Sequence, residues 1–424
     1  MSCRPSMESV IRAWIVVVLV FLFMLINFAD KAVIGLSSVP IMQELALSHT
    51  RFGMLGSAFF LLFSLSGIVV GFVANRVGTK TLMLVMGVVW AAVMLPASRV
   101  SSFAVLLGSR VVLGAAEGPA FPVAMHAVYK WFGNADRALP SSVVASGAAF
   151  GAGIIAPVIT WVVVSRGWHA AFGILGAAGL AWAGLWFLLG REGPLDRPLD
   201  AETGAVPTIP YRSLLLSRTA VGVFIAGFAA YWIIALNLVW LANYLIGALH
   251  MSPAGAAWVI TLPSIMQMVL APSLAYASQR LSRLGVSSRG ARGLLGTLCV
   301  IIAGVSMASL PFVPMGAPKI FMVGLSFSIG SVIFTLGSTL IGEISPVSQR
   351  GAMLGITNSI QTLAGLCAPY TMGLIVDINV NPIEGFRAGF VYAGSFVAAL
   401  GLLAAILIHP ERDLMRFRRF TETD

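Results

Sequence analysis

The chain has 424 residues, of which 58% are hydrophobic and only 10% charged, whereas a soluble globular chain carries about 25% charged residues. That composition excludes a soluble enzyme and points to an integral membrane protein, whose building unit is an apolar helix of about 20 residues. The formal net charge of +10 is not a nucleic-acid signal. With the N-terminus placed in the cytoplasm, 19 of the 26 Lys and Arg residues fall in cytoplasmic loops and tails, which is the positive-inside bias.

Twelve spans are predicted, and they are helical because stretches such as "AWIVVVLVFLFMLI" are apolar on every face, without the period-two alternation of a transmembrane barrel. The first span, 13–37, follows Arg4 and Arg12 as a secretory signal would, but no small-x-small cleavage site follows it and it ends in charge, "LINFADKAVIGL". Spans 52–74 and 81–98 are joined through "GFVANRVGTK", residues 71–80. The fourth span, 103–127, contains "SRVVLGAAEGPAFPVAMH", and spans 139–164 and 168–189 complete an N-terminal bundle, residues 1–189.

Residues 190–218, "GREGPLDRPLDAETGAVPTIPYRSLLLSR", are the longest polar stretch, with four prolines and eight charges. They read as a cytoplasmic linker, too short for a catalytic domain, between two six-helix bundles of the kind a repeat-built transporter requires. The C-terminal bundle, 219–408, holds spans 219–246, 254–277, 293–313, 318–341, 350–376 and 387–408. Its loop "AYASQRLSRLG", 275–285, repeats the small, polar, Arg, apolar, basic order of the 71–80 loop. Residues 409–424 read as a basic cytoplasmic tail. Cys3, Cys299 and Cys367 show no paired spacing, so neither a disulfide framework nor a metal site is expected, and no cofactor is required.

Four ionisable residues stand well inside spans: Asp30, Lys31, Arg110 and Glu117. Each costs about 2.5–3.5 kcal/mol on insertion scales, so each is expected to face protein or a polar substrate. Arg110 and Glu117 are two helical turns apart, about 10 Å, on one face, with Gly114 between them. An arginine fork can take a carboxylate by two parallel hydrogen bonds, and a buried glutamate can carry a proton. Asp30 and Lys31 diverge by about 100° around their helix, so they need not form one pair. A purely structural ion-pair network among the four is the alternative. In "GITNSIQTLAG", Asn358 and Gln361 share a helical face and suit hydrogen bonding to a ligand, although Gln361 reads equally well as interhelical glue.

At these residues the chain resembles the major facilitator superfamily, and within it the anion:cation symporters that include hexuronate, aldonate and glucarate transporters. "GFVANRVGTK" resembles the superfamily's loop motif Gly-x-x-x-Asp-Arg-x-Gly-Arg-Lys: Gly71, Arg76, Gly78 and Lys80 match, whereas Asn75 replaces the usual aspartate and Thr79 the usual arginine. "RVVLGAAEGPAFP" is similar to the subfamily's Arg-x-x-x-Gly-x-x-Glu-x-x-x-x-Pro, matched by Arg110, Gly114, Glu117 and Pro122. The resemblance implies substrate contacts at Arg110 and Lys31, with Lys31 standing where arginine is usual, and at Asn358. It implies proton coupling at Glu117 and Asp30, and a gating loop at Gly71, Asn75, Arg76, Gly78 and Lys80. Sugar-acid members place tyrosines at the positions of Phe28 and Phe63 and a glutamine near Ala148, so an acid with fewer hydroxyls is expected here.

The expectation is an all-α integral membrane protein of twelve transmembrane helices, a secondary transporter and not an enzyme. It is expected to import an organic carboxylate with protons by alternating access, as a monomer in a bacterial inner membrane with both termini cytoplasmic. Its partners are a small organic anion, protons and the bilayer, without nucleic acid. An exchanger or exporter of the same superfamily shares these charges and stays open as the alternative.

Overall fold

The computed structural model describes residues 7–73, 77–99, 101–133, 136–194, 209–346 and 349–421, and the regular secondary structure among these residues is all helical. Span-length helices follow in order: α1 (Met7–Leu36), α2 (His49–Val73), α3 (Thr79–Ala97), α4 (Phe103–Tyr129), α5 (Leu139–Arg166) and α6 (Trp168–Leu189). The remaining six are α7 (Arg218–Ala248), α8 (Pro253–Arg283), α9 (Arg289–Phe312), α10 (Ala317–Ile344), α11 (Arg350–Asp377) and α12 (Pro382–Leu407). All but α2 meet length and hydropathy criteria for crossing a membrane, and α2 contributes a further 25 apolar-rich residues, so twelve span-length helices stand where twelve spans are expected. Short helices at Ser38–Glu44 and Tyr211–Leu215 and a terminal helix α13 (Pro410–Thr421) are additional.

Several spans are not continuous α-helix. α4 breaks between Glu117 and Ala120, where Gly118 and Pro119 interrupt the ladder: proline supplies no N–H and its ring crowds the preceding turn. α5 contains a π-helical turn at Phe150–Ile154, in the glycine-rich "FGAGI".

The chain divides into two compact units, residues 1–46 with 61–202, and residues 47–60 with 203–424, so the division falls within α2. In unit 1, α1 lies against α5 with almost no intervening side chain. A Cβ on Gly151 would stand 2.1 Å from the Leu25 carbonyl oxygen. A Cβ on Gly118 would stand 2.0 Å from the Phe63 carbonyl oxygen, which brings the break in α4 against α2. Small residues at helix crossings permit this approach where lipid supplies no hydrophobic drive. Aromatics complete the packing: the Phe23 ring lies 4.5 Å from Trp90 and 4.8 Å from Trp182, centroid to centroid. Trp182 Nε1 donates to the Leu19 carbonyl at 2.8 Å, tying α6 to α1.

In unit 2, α7 is the most enclosed span. Asp377 ends α11 by accepting from the backbone N–H of His49 at 3.0 Å and of Thr50 at 2.7 Å, with His49 Nδ1 2.9 Å away. A carboxylate on two otherwise orphaned donors is a strong cap for the first turn of α2. At another end of the unit, Phe417 of α13 and Leu214 of the Tyr211–Leu215 helix are buried in one cluster with Leu340, Ile344 and Ile408. Asp413 adds an acceptor for the Thr219 N–H at 2.8 Å, at the start of α7.

The first turn of α3 in unit 1 is capped from a distance. Gly78 offers no side chain, and Glu192, just beyond α6, accepts instead from the Lys80 N–H at 2.7 Å, from Thr79 Oγ1 at 2.8 Å and from Lys130 Nζ at 2.8 Å. Partial burial pushes the Glu192 carboxyl up, but the Lys130 ammonium and the Lys80 and Thr79 donors outweigh it and hold the group below its ordinary value. A depressed folded value means stability that is complete above the unfolded value of about 4.3 and is lost as pH falls through the folded value. Glu192→Gln is therefore expected to lower the thermal midpoint at pH 7 in detergent. The gap to the unsubstituted protein should narrow below about pH 4.3; a gap independent of pH would show that the charge of Glu192 plays no part.

Candidate functional site

The four intramembrane charges all lie in unit 1, on α1 and α4. Over Phe103–Glu117, the part of α4 before its break, the buried positions are Leu106, Arg110, Leu113, Gly114 and Glu117, the 3.6-residue stripe of one helix face, so Arg110 and Glu117 share that face. On α1, Asn27, Asp30 and Lys31 are all buried, Asp30 to 1% exposure and Lys31 to 6%. Two cations and two carboxylates are thus enclosed with no net formal charge.

Lys31 is the centre of the cluster. Its Nζ lies 3.2 Å from Glu117 Oε2 and donates to Asn27 Oδ1 at 2.5 Å. The same ammonium stands over the Phe28 ring, 4.2 Å from its centroid, and within 5.1 Å of the Phe63 centroid. Each contact is a recognised way of holding a desolvated cation: an ion pair, a charge-assisted hydrogen bond and ring quadrupoles. Asn27 is a member of this cluster that reading for charge misses. Its one sequence signal is its place a helical turn before Lys31, the i,i+4 spacing at which side chains meet.

Arg110 is held differently. Nη1 donates to the backbone carbonyl of Asp30 at 3.2 Å, Nη2 lies 3.8 Å from Met94 Sδ, and the guanidinium stands 5.4 Å from the Phe172 centroid. An arginine presents five N–H donors, and the buried Nε has no hydrogen-bond partner in the protein; the same holds for Asp30 Oδ1 and Asn27 Nδ2. Arg110 is therefore braced by weak neutral acceptors and an aromatic face rather than locked to a carboxylate side chain. Chemically, that leaves a buried fork suited to a planar anion.

The other candidate positions lie elsewhere. Asn358 is exposed on α11 in unit 2. Gln361, a turn further along, is buried to 5%; its Nε2 reaches the Val223 carbonyl at 3.5 Å and lies where a Cβ on Gly227 would meet it at 2.1 Å, so it packs α11 against α7. Of the loop residues, Gly71 is in α2, Gly78 precedes α3 and Lys80 is in its first turn, while Asn75 and Arg76 fall outside the described residues. Among the described residues no group of three or more His, Cys, Asp or Glu side chains could hold a metal ion.

Comparison with known proteins bears on the whole chain. The sequence profile of the Major Facilitator Superfamily matches residues 19–240 and 223–423. Similar curated proteins include the hexuronate transporter of Bacillus subtilis (strain 168), 25% identical over 404 residues that cover 93% of this chain and 94% of that protein. The D-galactonate transporter of Escherichia coli O6:H1 is 25% identical over 424 residues, covering 94% and 95%. The probable sulfoacetate transporter SauU of Cupriavidus necator is 26% identical over 406 residues, 91% of each chain. Among solved structures, a bacterial homologue of the human lysosomal transporter Spinster aligns with a TM-score of 0.76 at 17% identity, over 96% of this chain and 98% of that one. A D-xylose–proton symporter aligns with a TM-score of 0.72 at 16% identity, over 94% and 98%. At these identities the structures speak to the fold.

Removing one partner of a buried pair strands the other's charge, whereas replacing both does not. Lys31→Met alone and Glu117→Gln alone are each expected to destabilise the protein in detergent by about 3 kcal/mol or more. Combining them should recover a coupling of about 1–3 kcal/mol in a double-mutant cycle. Additive losses would show that the 3.2 Å pair carries no interaction energy.

Proposed function

The chain belongs to the major facilitator superfamily, all-α membrane transporters of twelve helices in two six-helix bundles, and we propose that it imports an organic carboxylate together with protons. The observation that carries this reading is the buried cluster of Lys31, Glu117, Asp30 and Arg110 with its unsaturated guanidinium. A neutral enclosed cluster that accepts an anion acquires a net negative charge in a low-dielectric setting, which is costly. If a proton enters with the anion, neutrality is kept. Electrostatics therefore favours joint binding of anion and proton.

The roles follow from the contacts. Arg110 takes the substrate carboxylate through its fork. Protonation of Glu117 cancels its attraction for the Lys31 ammonium 3.2 Å away and frees that cation for the same anion. Asp30, whose carbonyl braces Arg110 and whose Oδ1 is buried without a partner, is the second proton carrier. Hexuronate, galactonate and sulfoacetate in the names of the relatives support an anionic substrate. Beyond the Asn27 amide, Lys31 meets the hydrocarbon rings of Phe28 and Phe63, which themselves offer no hydroxyl or amide to a polyol chain. An acid poorer in hydroxyls than a hexuronate, aliphatic or aromatic, fits those faces best. The bias of Lys and Arg toward one side supports cytoplasmic termini, and bacterial relatives support an inner-membrane location.

Proteoliposomes separate coupling from binding. Glu117→Gln is expected to abolish accumulation driven by a proton gradient while preserving counterflow exchange of the same carboxylate. Full accumulation by that variant would remove Glu117 from the coupling step.

A further inference from the structure

Unit 1 carries a cleft away from the buried charges. The first turns of α1, the residues after α4 and the end of α6 enclose a cleft of about 190 Å³, lined by Arg12, Ile15, Trp131, Leu188, Leu189 and Arg191. Its two halves differ in chemistry. One wall is hydrocarbon that the protein leaves uncovered: Leu188 is 70% exposed, Leu189 50% and Ile15 39%. On membrane-spanning helices such side chains face acyl chains.

The rim is cationic. Arg191 is exposed and follows α6 directly, and Arg12 stands a helical turn beyond Glu8, with which it is ion-paired. Two guanidinium groups against one carboxylate leave the rim with a net positive charge. Trp131 closes the cleft at the boundary between the halves, its Nε1 donating to the Arg191 carbonyl at 3.3 Å, an amphipathic ring where the bilayer interface places tryptophan. That bond is to the backbone, so the Arg191 guanidinium is not consumed by it.

We propose that this cleft binds a single anionic phospholipid, with the headgroup phosphate held by Arg12 and Arg191 and an acyl chain laid along Ile15, Leu188 and Leu189. A free phosphate would use the rim and gain nothing from the hydrocarbon wall. A zwitterionic lipid would bring its own cation to a rim that is already positive. Arginine is the residue suited to the phosphate, through paired N–H donors. The site is separate from Lys31 and Arg110 and calls on no property of the carboxylate pathway.

Native mass spectrometry of the full-length protein in detergent tests the site. The probes are phosphatidylglycerol, phosphatidylcholine and soluble glycerol 3-phosphate. Phosphatidylglycerol is expected to be retained in preference to phosphatidylcholine. Arg191→Gln, which alters an exposed side chain and leaves the Trp131 bond in place, should weaken retention roughly fivefold, the worth of one arginine at an anionic lipid surface. Arg12→Gln with Arg191→Gln should weaken it further, and Leu188→Asn should weaken it with both arginines intact. Equal retention of the two lipids, or retention unchanged in Arg191→Gln, would overturn the proposal. So would glycerol 3-phosphate displacing the lipid at equal concentration, since that would show a phosphate site with no use for the wall. No carboxylate is present in these measurements, so their outcome is independent of the transport reading.

Discussion

The contact between Lys31 and Glu117 is the constraint on which the rest of unit 1 depends. A lone charge at membrane depth costs about 2.5–3.5 kcal/mol or more, and four of them on two helices are tolerable only if they neutralise one another. Lys31 satisfies this with one carboxylate at 3.2 Å, one amide oxygen at 2.5 Å and two ring faces. The pairing also sets how close α1 and α4 must lie. Glycines bring the flanking helices equally close, α5 to α1 at Gly151 and α2 to α4 at Gly118, where a Cβ would stand about 2 Å from a neighbouring carbonyl oxygen.

The same cluster holds two cations in different states of commitment. Lys31 is engaged by a full counter-charge, whereas Arg110 leans on a peptide carbonyl, a thioether and a phenyl ring. Buried ion pairs are weak contributors to stability and strong penalties when broken, so keeping such a cluster makes most sense where its charges change partners. On the proposed reading, a proton on Glu117 would release Lys31 to another partner. An anion bound at Arg110, as proposed, would change the charge that Asp30 and Glu117 experience. On the same reading, binding of the two ligands would be linked through local electrostatics, and reciprocally, since each would favour the other by the same free energy.

Much of this was legible in the sequence because charge is so scarce in it. With only 10% charged residues, Asp30, Lys31, Arg110 and Glu117 stand out inside their spans, and the seven-residue spacing of Arg110 and Glu117 places them on one helix face without any structure. The twelve apolar runs could likewise be counted directly. What could not be read is pairing across helices. Nothing local says that Lys31 meets Glu117 rather than Asp30 beside it, or that Arg110 reaches a backbone carbonyl, since every residue carries one. Asn27 was hidden because amides are ordinary in membrane helices and only its turn-apart relation to Lys31 distinguishes it. Glu192 and Asp377 were hidden for a related reason: each caps a helix remote in sequence, and capping from a distance leaves no pattern at the capped residue. The break in α4 at Gly118 and Pro119 lay in plain view, but its consequence, contact with α2, depends on tertiary packing.

Arg110 is the proposed anion-binding group, and ligand-dependent stability reports on it directly. Thermal unfolding of the purified protein against a panel of carboxylates, sugar acids beside hydroxyl-poor aliphatic and aromatic acids, measures it without assuming direction or coupling. Members of the hydroxyl-poor set are expected to stabilise the unsubstituted protein, and that stabilisation is expected to disappear in Arg110→Ala. Stabilisation that persists in Arg110→Ala, or that arises from cations alone, would contradict that role for Arg110 and leave the buried charges as a structural network.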